Sequence, residues 1–256
     1  MLTRLPLQNK SIVVTRPAHQ NHALCQQLAS LGATVVEFPC IDIQSNESID
    51  PISLGTQLSR CQSLIFISAN AVKHLFTAIP SWAEIIPKDC LIFAVGPSTA
   101  STLHSFGIEQ VIVPDSTSDS EALLKLNALQ EVQKKMIFII KGMGGRELIY
   151  DTLSARGAEV HNIEIYQRCL PKSVDIAPLT NKIDLILFSS SETVNNFLVL
   201  TSGSLQESLL TCQTMVGHPR IAEKVTSLRF KKLPIIAASP SDADMLSAIQ
   251  HWVQLS

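Results

Sequence analysis

The sequence predicts an α/β protein of two similar lobes, each built on a parallel sheet flanked by helices. Strands rich in Ile, Val, Leu and Phe alternate with helical patterns along the whole chain, which is the habit of parallel α/β folds. The same order of motifs runs twice. With 256 residues and 46% hydrophobic composition, the chain can bury two ordinary cores.

Strands are predicted near 11–15, 34–43, 63–67, 91–95, 110–113, 136–140, 159–169, 183–188, 213–217 and 233–237, with helices in most gaps. VVTRP at 13–17 feeds a helix ending in SLGATVVEF, and IIKGM at 139–143 feeds one ending in ARGAEVHNI. Arg16 thereby matches Lys141, and Gly32 matches Gly157. LIFISANAV at 64–72 matches LILFSSSETV at 185–194, placing Ser68 opposite Ser190, and Pro97 and Ala100 keep step with Pro219 and Ala222. A repeat of this length is a duplicated domain, since solenoid periods run only about 20 to 50 residues.

Twenty basic against twenty-two acidic residues give a formal charge of -2, unlike the strongly basic footprint of a nucleic-acid binder. MLTRLPLQNK lacks the apolar core of a signal peptide, and no apolar run approaches the roughly 18 residues that span a bilayer. A soluble, cytosolic protein is expected. The six cysteines are scattered without a CxxC pair, a pattern of reduced and mostly buried thiols. His19, His22 and Cys25 recur every three residues on a predicted helix, which reads as an ordinary helix face more readily than as a metal site.

The most informative stretch is Phe138 to Cys169. Met136 to Ile140 reads as a covered parallel strand; Gly142, Gly144 and Gly145 then allow a tight turn, so that N–H groups at the next helix start face an anion between Lys141 and Arg146. The spacing fits neither GxxxxGK[ST] nor GxGxxG with its later acidic residue. Other predicted strands also end in small hydroxyl or glycine residues: Ser68-Ala69-Asn70, Gly96-Pro97-Ser98-Thr99 and Ser189-Ser190-Ser191. Each is either a plain helix cap or one element of a multidentate anion receptor. Arg16, closing its strand, is either a second cation of that receptor or a surface arginine. Tyr166 is either a packing residue or an acid. Asp115, Ser116, Ser118 and Asp119 are expected to start a helix, as are Ser239, Ser241 and Asp242.

KGMGGRELIYDTLSARGAEV followed by IYQRC resembles uroporphyrinogen-III synthase, and the similarity extends more thinly over nearly the whole chain. The resemblance implies an exchange in which the first strand and helix join the sheet of the second copy. The lobes would then be 1–36 with 171–256, and 43–163, joined by two extended hinge segments at 37–44 and 162–170. It implies an enzyme without metal or organic cofactor, a lyase that cyclises the linear tetrapyrrole hydroxymethylbilane. A hydroxyl leaves under the push of a pyrrole nitrogen, a spiro intermediate forms on ring D, and reclosure inverts that ring. The protein's task is chiefly to hold the folded conformer.

The resemblance raises Tyr166 to the catalytic candidate, as a phenol with an ordinary pKa of about 10 that donates a hydrogen bond to the leaving hydroxyl. Its substrate-binding candidates are Arg16, Ser68, Asn70, Ser98, Thr99, Lys141, Gly142, Gly144, Gly145, Arg146, Ser190, Ser191 and Arg220. The family's GPTTA is here Gly217-His218-Pro219-Arg220-Ile221-Ala222, so Arg220 and Ile221 stand where hydroxyls are expected, and His218 reads as a loop residue. The expected partners are the tetrapyrrole and, transiently, the hydroxymethylbilane synthase that releases it; the chain is expected to be a monomer and to bind neither nucleic acid nor membrane. The rival reading is a non-catalytic bilobal receptor for a small polyanion.

Overall fold

The computed structural model describes residues 5–114 and 119–255. Ten strands follow in chain order: β1 (Ser11–Val14), β2 (Thr34–Glu37), β3 (Asp42–Ser45), β4 (Ser63–Phe66), β5 (Leu91–Ala94), β6 (Met136–Gly142), β7 (Glu159–Cys169), β8 (Leu185–Phe188), β9 (Gln213–Val216) and β10 (Ile235–Ile236). The helices are α1 (His22–Ser30), α2 (Pro51–Leu58), α3 (Ala69–Ala78), α4 (Trp82–Ile85), α5 (Pro97–Ser105), α6 (Ser120–Leu123), α7 (Leu148–Ala155), α8 (Ser191–Leu200), α9 (Ser204–Leu209), α10 (Pro219–Thr226) and α11 (Asp242–Gln254). The chain divides into two compact units, Met1–Asp42 with Cys169–Ser256, and Ile43–Arg168.

The first unit holds a sheet of order β10-β9-β8-β1-β2, and the second one of order β3-β7-β6-β4-β5. By the repeat, β1 corresponds to β6, β2 to β7, β8 to β4 and β9 to β5. The two sheets therefore run β9-β8-β1-β2 and β5-β4-β6-β7, the same order in both, and each is completed by strands from both copies. Pairing is parallel throughout these four-strand cores: Val13 sits between Val36 and Ile186, and Ile65 between Phe93 and Ile139.

Both faces of each sheet are covered, which is why the strands read as continuous apolar runs. In the first unit Val13, Ile186 and Phe188 pack under α8 and α10, while Ile12, Val14, Leu185 and Leu187 pack under α1 and α11. In the second, Phe66, Phe138 and Ile140 lie on the side of α3 and α5, whereas Ile65, Ile137 and Ile139 lie on the side of α6 and α7.

Three expected elements differ. The run 34–43 is not one strand: β2 and β3 belong to different sheets, and Pro39, which has no N–H to give a ladder, lies between them. The strand expected at 110–113 is a single parallel bridge from Ile112 to Phe93, with Ala94 donating to the Ile112 carbonyl at 3.0 Å, and Pro114 ends it. Its counterpart β10, expected over 233–237, holds only two residues for a like reason, since Pro234 precedes it. β7, by contrast, runs over Glu159–Cys169 as the sequence predicts and stays paired with β6 through Tyr166.

Candidate active site

Tyr166 owes its direction to an irregularity in β7. Lys141 pairs with Glu164, but the next residue, Gly142, pairs with Tyr166, so Ile165 is an extra residue opposite no partner. Such a bulge bends the strand and re-aims the side chains beside it. Ile165 and Tyr166 consequently both pack with the α3 and α5 core. The Tyr166 ring is buried; it lies against Gly142 and stacks on His74 of α3, with centroids 5.4 Å apart and planes 24° from parallel. Its hydroxyl meets Ser68 Oγ at 3.1 Å. His74 is held in turn, with Nδ1 2.9 Å from Ser45 Oγ.

Ser68 has a second task. It is the N-cap of α3, where its Oγ accepts from the Ala71 N–H at 3.1 Å. Asn70 sits half-buried in the first turn of the same helix. In the first turn of α5, Thr99 is buried and Ser98 exposed, behind a Gly96 cap and Pro97 at the first helical position.

The glycine loop departs from its expected form. Gly142 ends β6 in extended backbone and turns nothing; its value is the missing side chain that Tyr166 requires. The turn is made by Gly144 and Gly145, with φ of 70° and 91°. Two loop N–H groups are already used: Met143 donates to the Tyr166 carbonyl at 2.8 Å, and Gly144 to Glu164 Oε1 at 3.0 Å. The loop thus holds a carboxylate of its own chain, and α7 begins only at Leu148.

Lys141 is likewise a strand residue and not a free loop cation. It is buried, because the odd residues of β6 face the α7 core, and its Nζ donates to Glu147. Glu147 also accepts from Asn162 Nδ2 at 2.7 Å. The Lys141 bond, then that from Asn162, hold the Glu147 carboxyl below the usual carboxylate range. These groups line a pocket of about 140 Å³ together with Arg146, Tyr150 and Ser120. Arg146 is its exposed cation, 3.9 Å from Glu121.

In the first unit Arg16 repeats this behaviour. Its Nη1 pairs with Asp242 and its Nη2 donates to the Pro240 carbonyl at 2.7 Å, so the guanidinium ties the end of β1 to the start of α11. A β-carbon at Gly217 would lie 2.5 Å from Pro240 Cα, so the end of β9 closes on the same turn. The matched cations Arg16 and Lys141 each hold an ion pair inside their own unit. Both sit at strand ends beside an acidic residue that starts the neighbouring helix.

Ser190 caps α8 in a reciprocal box, its Oγ accepting from Thr193 N and its N–H donating to Thr193 Oγ1, both at 3.1 Å. Ser191 follows as the first helical residue. His218 is the N-cap of α10, accepting from the Arg220 N–H at 3.1 Å through Nδ1. The Arg220 side chain is exposed, whereas Ile221 faces the core. Ser241 caps α11 and Asp119 caps α6; Asp115, Ser116 and Ser118 lie outside the described residues. Among the described residues no three His, Cys, Asp or Glu side chains gather as a metal site, and no helix is long and apolar enough to cross a membrane.

The structure therefore joins Ser68, Gly142 and Tyr166, and separately Lys141, Arg146 and the pocket. Sequence reasoning missed His74, Glu147, Asn162 and Glu164. The last two alternate on β7 with the core residues Ile163 and Ile165, a period-two signal that was present in NIEIY.

Comparison with other proteins agrees with this architecture. The family model described as uroporphyrinogen-III synthase HemD matches residues 22–247. The uroporphyrinogen-III synthase of Escherichia coli K12 is 30% identical over 246 residues, covering 94% of this chain and 100% of that protein. That of Salmonella typhimurium LT2 is 31% identical over 247 residues, with the same coverage of 94% and 100%. Among solved structures, uroporphyrinogen-III synthetase from Helicobacter pylori 26695 superposes with a TM-score of 0.60 at 14% identity, covering 96% of this chain and 100% of that one. A mutant uroporphyrinogen III synthase from Thermus thermophilus gives 0.55 at 16%, also covering 96% and 100%. With the family's model matched over most of its length and its duplicated parallel sheets in place, this chain belongs to the uroporphyrinogen-III synthase family.

Proposed function

We propose that the protein is a working uroporphyrinogen-III synthase, converting hydroxymethylbilane to uroporphyrinogen III with inversion of ring D and loss of water, in tetrapyrrole and haem biosynthesis. The family match over residues 22–247 carries the reading. The relatives it resembles over their whole length are named as synthases, which leaves the non-catalytic receptor without support.

Within this reading Tyr166 is the catalytic residue, and its hydrogen-bond partners suit the task. Ser68 Oγ already accepts from the Ala71 N–H, so its own O–H is available to donate to the Tyr166 oxygen. The phenolic proton is then directed to the departing hydroxyl of the substrate. That hydroxyl is pushed out by its own pyrrole, so one positioned donor suffices and no strong acid is needed. The ring's burial confines the chemistry to the hydroxyl.

The substrate's carboxylates are assigned to the exposed cations Arg146 and Arg220 and to N–H groups at the starts of α3, α5 and α8, near Asn70, Ser98, Thr99 and Ser191. Gly144 and Gly145 contribute once Glu164 yields its hydrogen bond. No metal or organic cofactor enters the reaction. A monomer in the cytoplasm, in transient contact with the synthase that releases the unstable substrate, completes the proposal.

The test is to incubate the purified protein with freshly generated hydroxymethylbilane and resolve the isomers. Isomer III in excess is the expected result. Isomer I alone, the product of unassisted closure, overturns the proposal.

A further inference from the structure

Two of the six cysteines, though far from any CxxC spacing, meet in the fold. Cys61 Sγ and Cys90 Sγ lie 3.2 Å apart, at the end of the sheet opposite to Tyr166. Topology brings them there. Cys61 closes the turn after α2, its N–H donating to the Leu58 carbonyl at 3.1 Å, and Cys90 closes the turn after α4, donating to Pro87 at 3.0 Å. Each turn leads directly into one of two adjacent parallel strands, β4 and β5, whose first register pair is Ser63 with Leu91. Neighbouring strands stand about 4.8 Å apart, so the backbones enter the sheet within the separation that a disulfide spans.

The other thiols are differently placed. Cys40, Cys169 and Cys212 direct their sulfurs to backbone carbonyls of Phe38, Asp42 and Ile183. Cys61 is fully buried, whereas Cys90 is half-buried and gives the pair a route to solvent. All six are free thiols.

We propose that Cys61 and Cys90 form an oxidation site, a dithiol that peroxides convert to a reversible disulfide. Peroxide transfers one oxygen to the accessible Cys90 sulfur; the O–O bond breaks and water leaves. The Cys61 sulfur then attacks the Cys90 sulfenic acid, the S–S bond forms, and the hydroxyl departs as a second water. The dithiol gives up two electrons and two protons, and the peroxide takes them. The order of the steps follows access, since Cys90 reaches solvent and Cys61 does not. The segment closed by the bond, 61–90, carries β4, α3 and α4, and with them Ser68 and His74, which hold Tyr166.

The experiment treats the full chain with hydrogen peroxide, alkylates the remaining thiols under denaturing conditions and maps the peptides by mass spectrometry. The expected result is loss of two of six titratable thiols, one peptide pair linked through Cys61 and Cys90, and full recovery with dithiothreitol. Full alkylation of both residues overturns the proposal, and so does over-oxidised Cys90 beside an intact Cys61 thiol. Cys61→Ser supplies a second reading: without its resolving partner Cys90 should pass on to sulfinic acid. A Cys90 that stays a thiol in this variant contradicts the assigned order of steps.

Discussion

Gly142 and Tyr166 approach each other so closely that a β-carbon at position 142 would lie 2.6 Å from two carbons of the phenol ring. The ring cannot retreat, since His74 stacks on it and the α3 core surrounds it. Gly142→Ala must therefore shift Tyr166 and loosen its bond to Ser68. A loss of about 1 to 3 kcal/mol in unfolding free energy is expected, the usual cost of overpacking a core. Turnover should fall with it, and denaturant titration beside the isomer assay reads both. Wild-type stability would show that the ring has room.

Tyr166→Phe removes only the hydroxyl and keeps the stack and the fold. Turnover is expected to drop by about 5- to 150-fold, the equivalent of about 1 to 3 kcal/mol for one lost donor. An unchanged rate at saturating substrate would leave Tyr166 a packing residue.

Ser68 and Ser190 occupy matching caps, and only Ser68 touches Tyr166. Alanine at either should cost about 1 kcal/mol of stability. Ser68→Ala should in addition slow turnover at saturating substrate, and its effect should largely vanish in a Tyr166→Phe background. Additive losses in that double variant would separate the two residues.

Arg16 and Lys141 have internal partners, whereas Arg146 and Arg220 are exposed. Arg146→Gln and Arg220→Gln are expected to raise the Michaelis constant several-fold with little change in turnover, and added salt should mimic them. Arg16→Gln and Lys141→Gln should instead lower the melting temperature. Steady-state kinetics at two ionic strengths and thermal unfolding of the four variants distinguish these outcomes.

The Lys141 pair also sets a pH dependence. Glu147 has a folded pKa below its unfolded one, so its contribution to stability is fully present above the ordinary carboxylate range and is lost as pH falls through the depressed value. The acid limb of a stability profile should flatten in Glu147→Gln, with a lower plateau at neutral pH because Lys141 is left buried without its partner. Parallel wild-type and variant profiles would show that the pair does not act in this way.

Much of the fold was legible because its signals are local. Apolar runs marked the covered strands, and the matched order of VVTRP with IIKGM and of Ser68 with Ser190 revealed the duplication. The strand ends were less so, since Pro39 and Pro114 cut elements that apolar content alone would continue. At the site, the residue types at strand ends could be read but not their partners. Nothing in GMGGRE says that Glu147 will neutralise Lys141 or that Glu164 will take the Gly144 N–H, because the first depends on which face of β6 Lys141 shows and the second on which face of β7 Glu164 shows. The bulge at Ile165 was equally hidden; a single unpaired residue leaves the period of the pattern intact on either side and changes only the aim of Tyr166.

The exchange of strands between copies also governs what can happen while the chain is being made. β1 lies between β2 and β8, so the first two strands cannot enter a finished sheet until Leu185 and the residues after it have left the ribosome. Ile43–Arg168, by contrast, is contiguous and carries every strand of its own sheet. Synthesis therefore runs out of order with assembly: the middle of the polypeptide has all it needs to fold first, and the amino-terminal unit of β1, α1 and β2 waits as an unclosed edge. In a crowded polysome that waiting edge meets the completed β8 of a neighbouring copy before its own has been made, which makes intermolecular swapping of the first forty residues the error to which this topology is exposed.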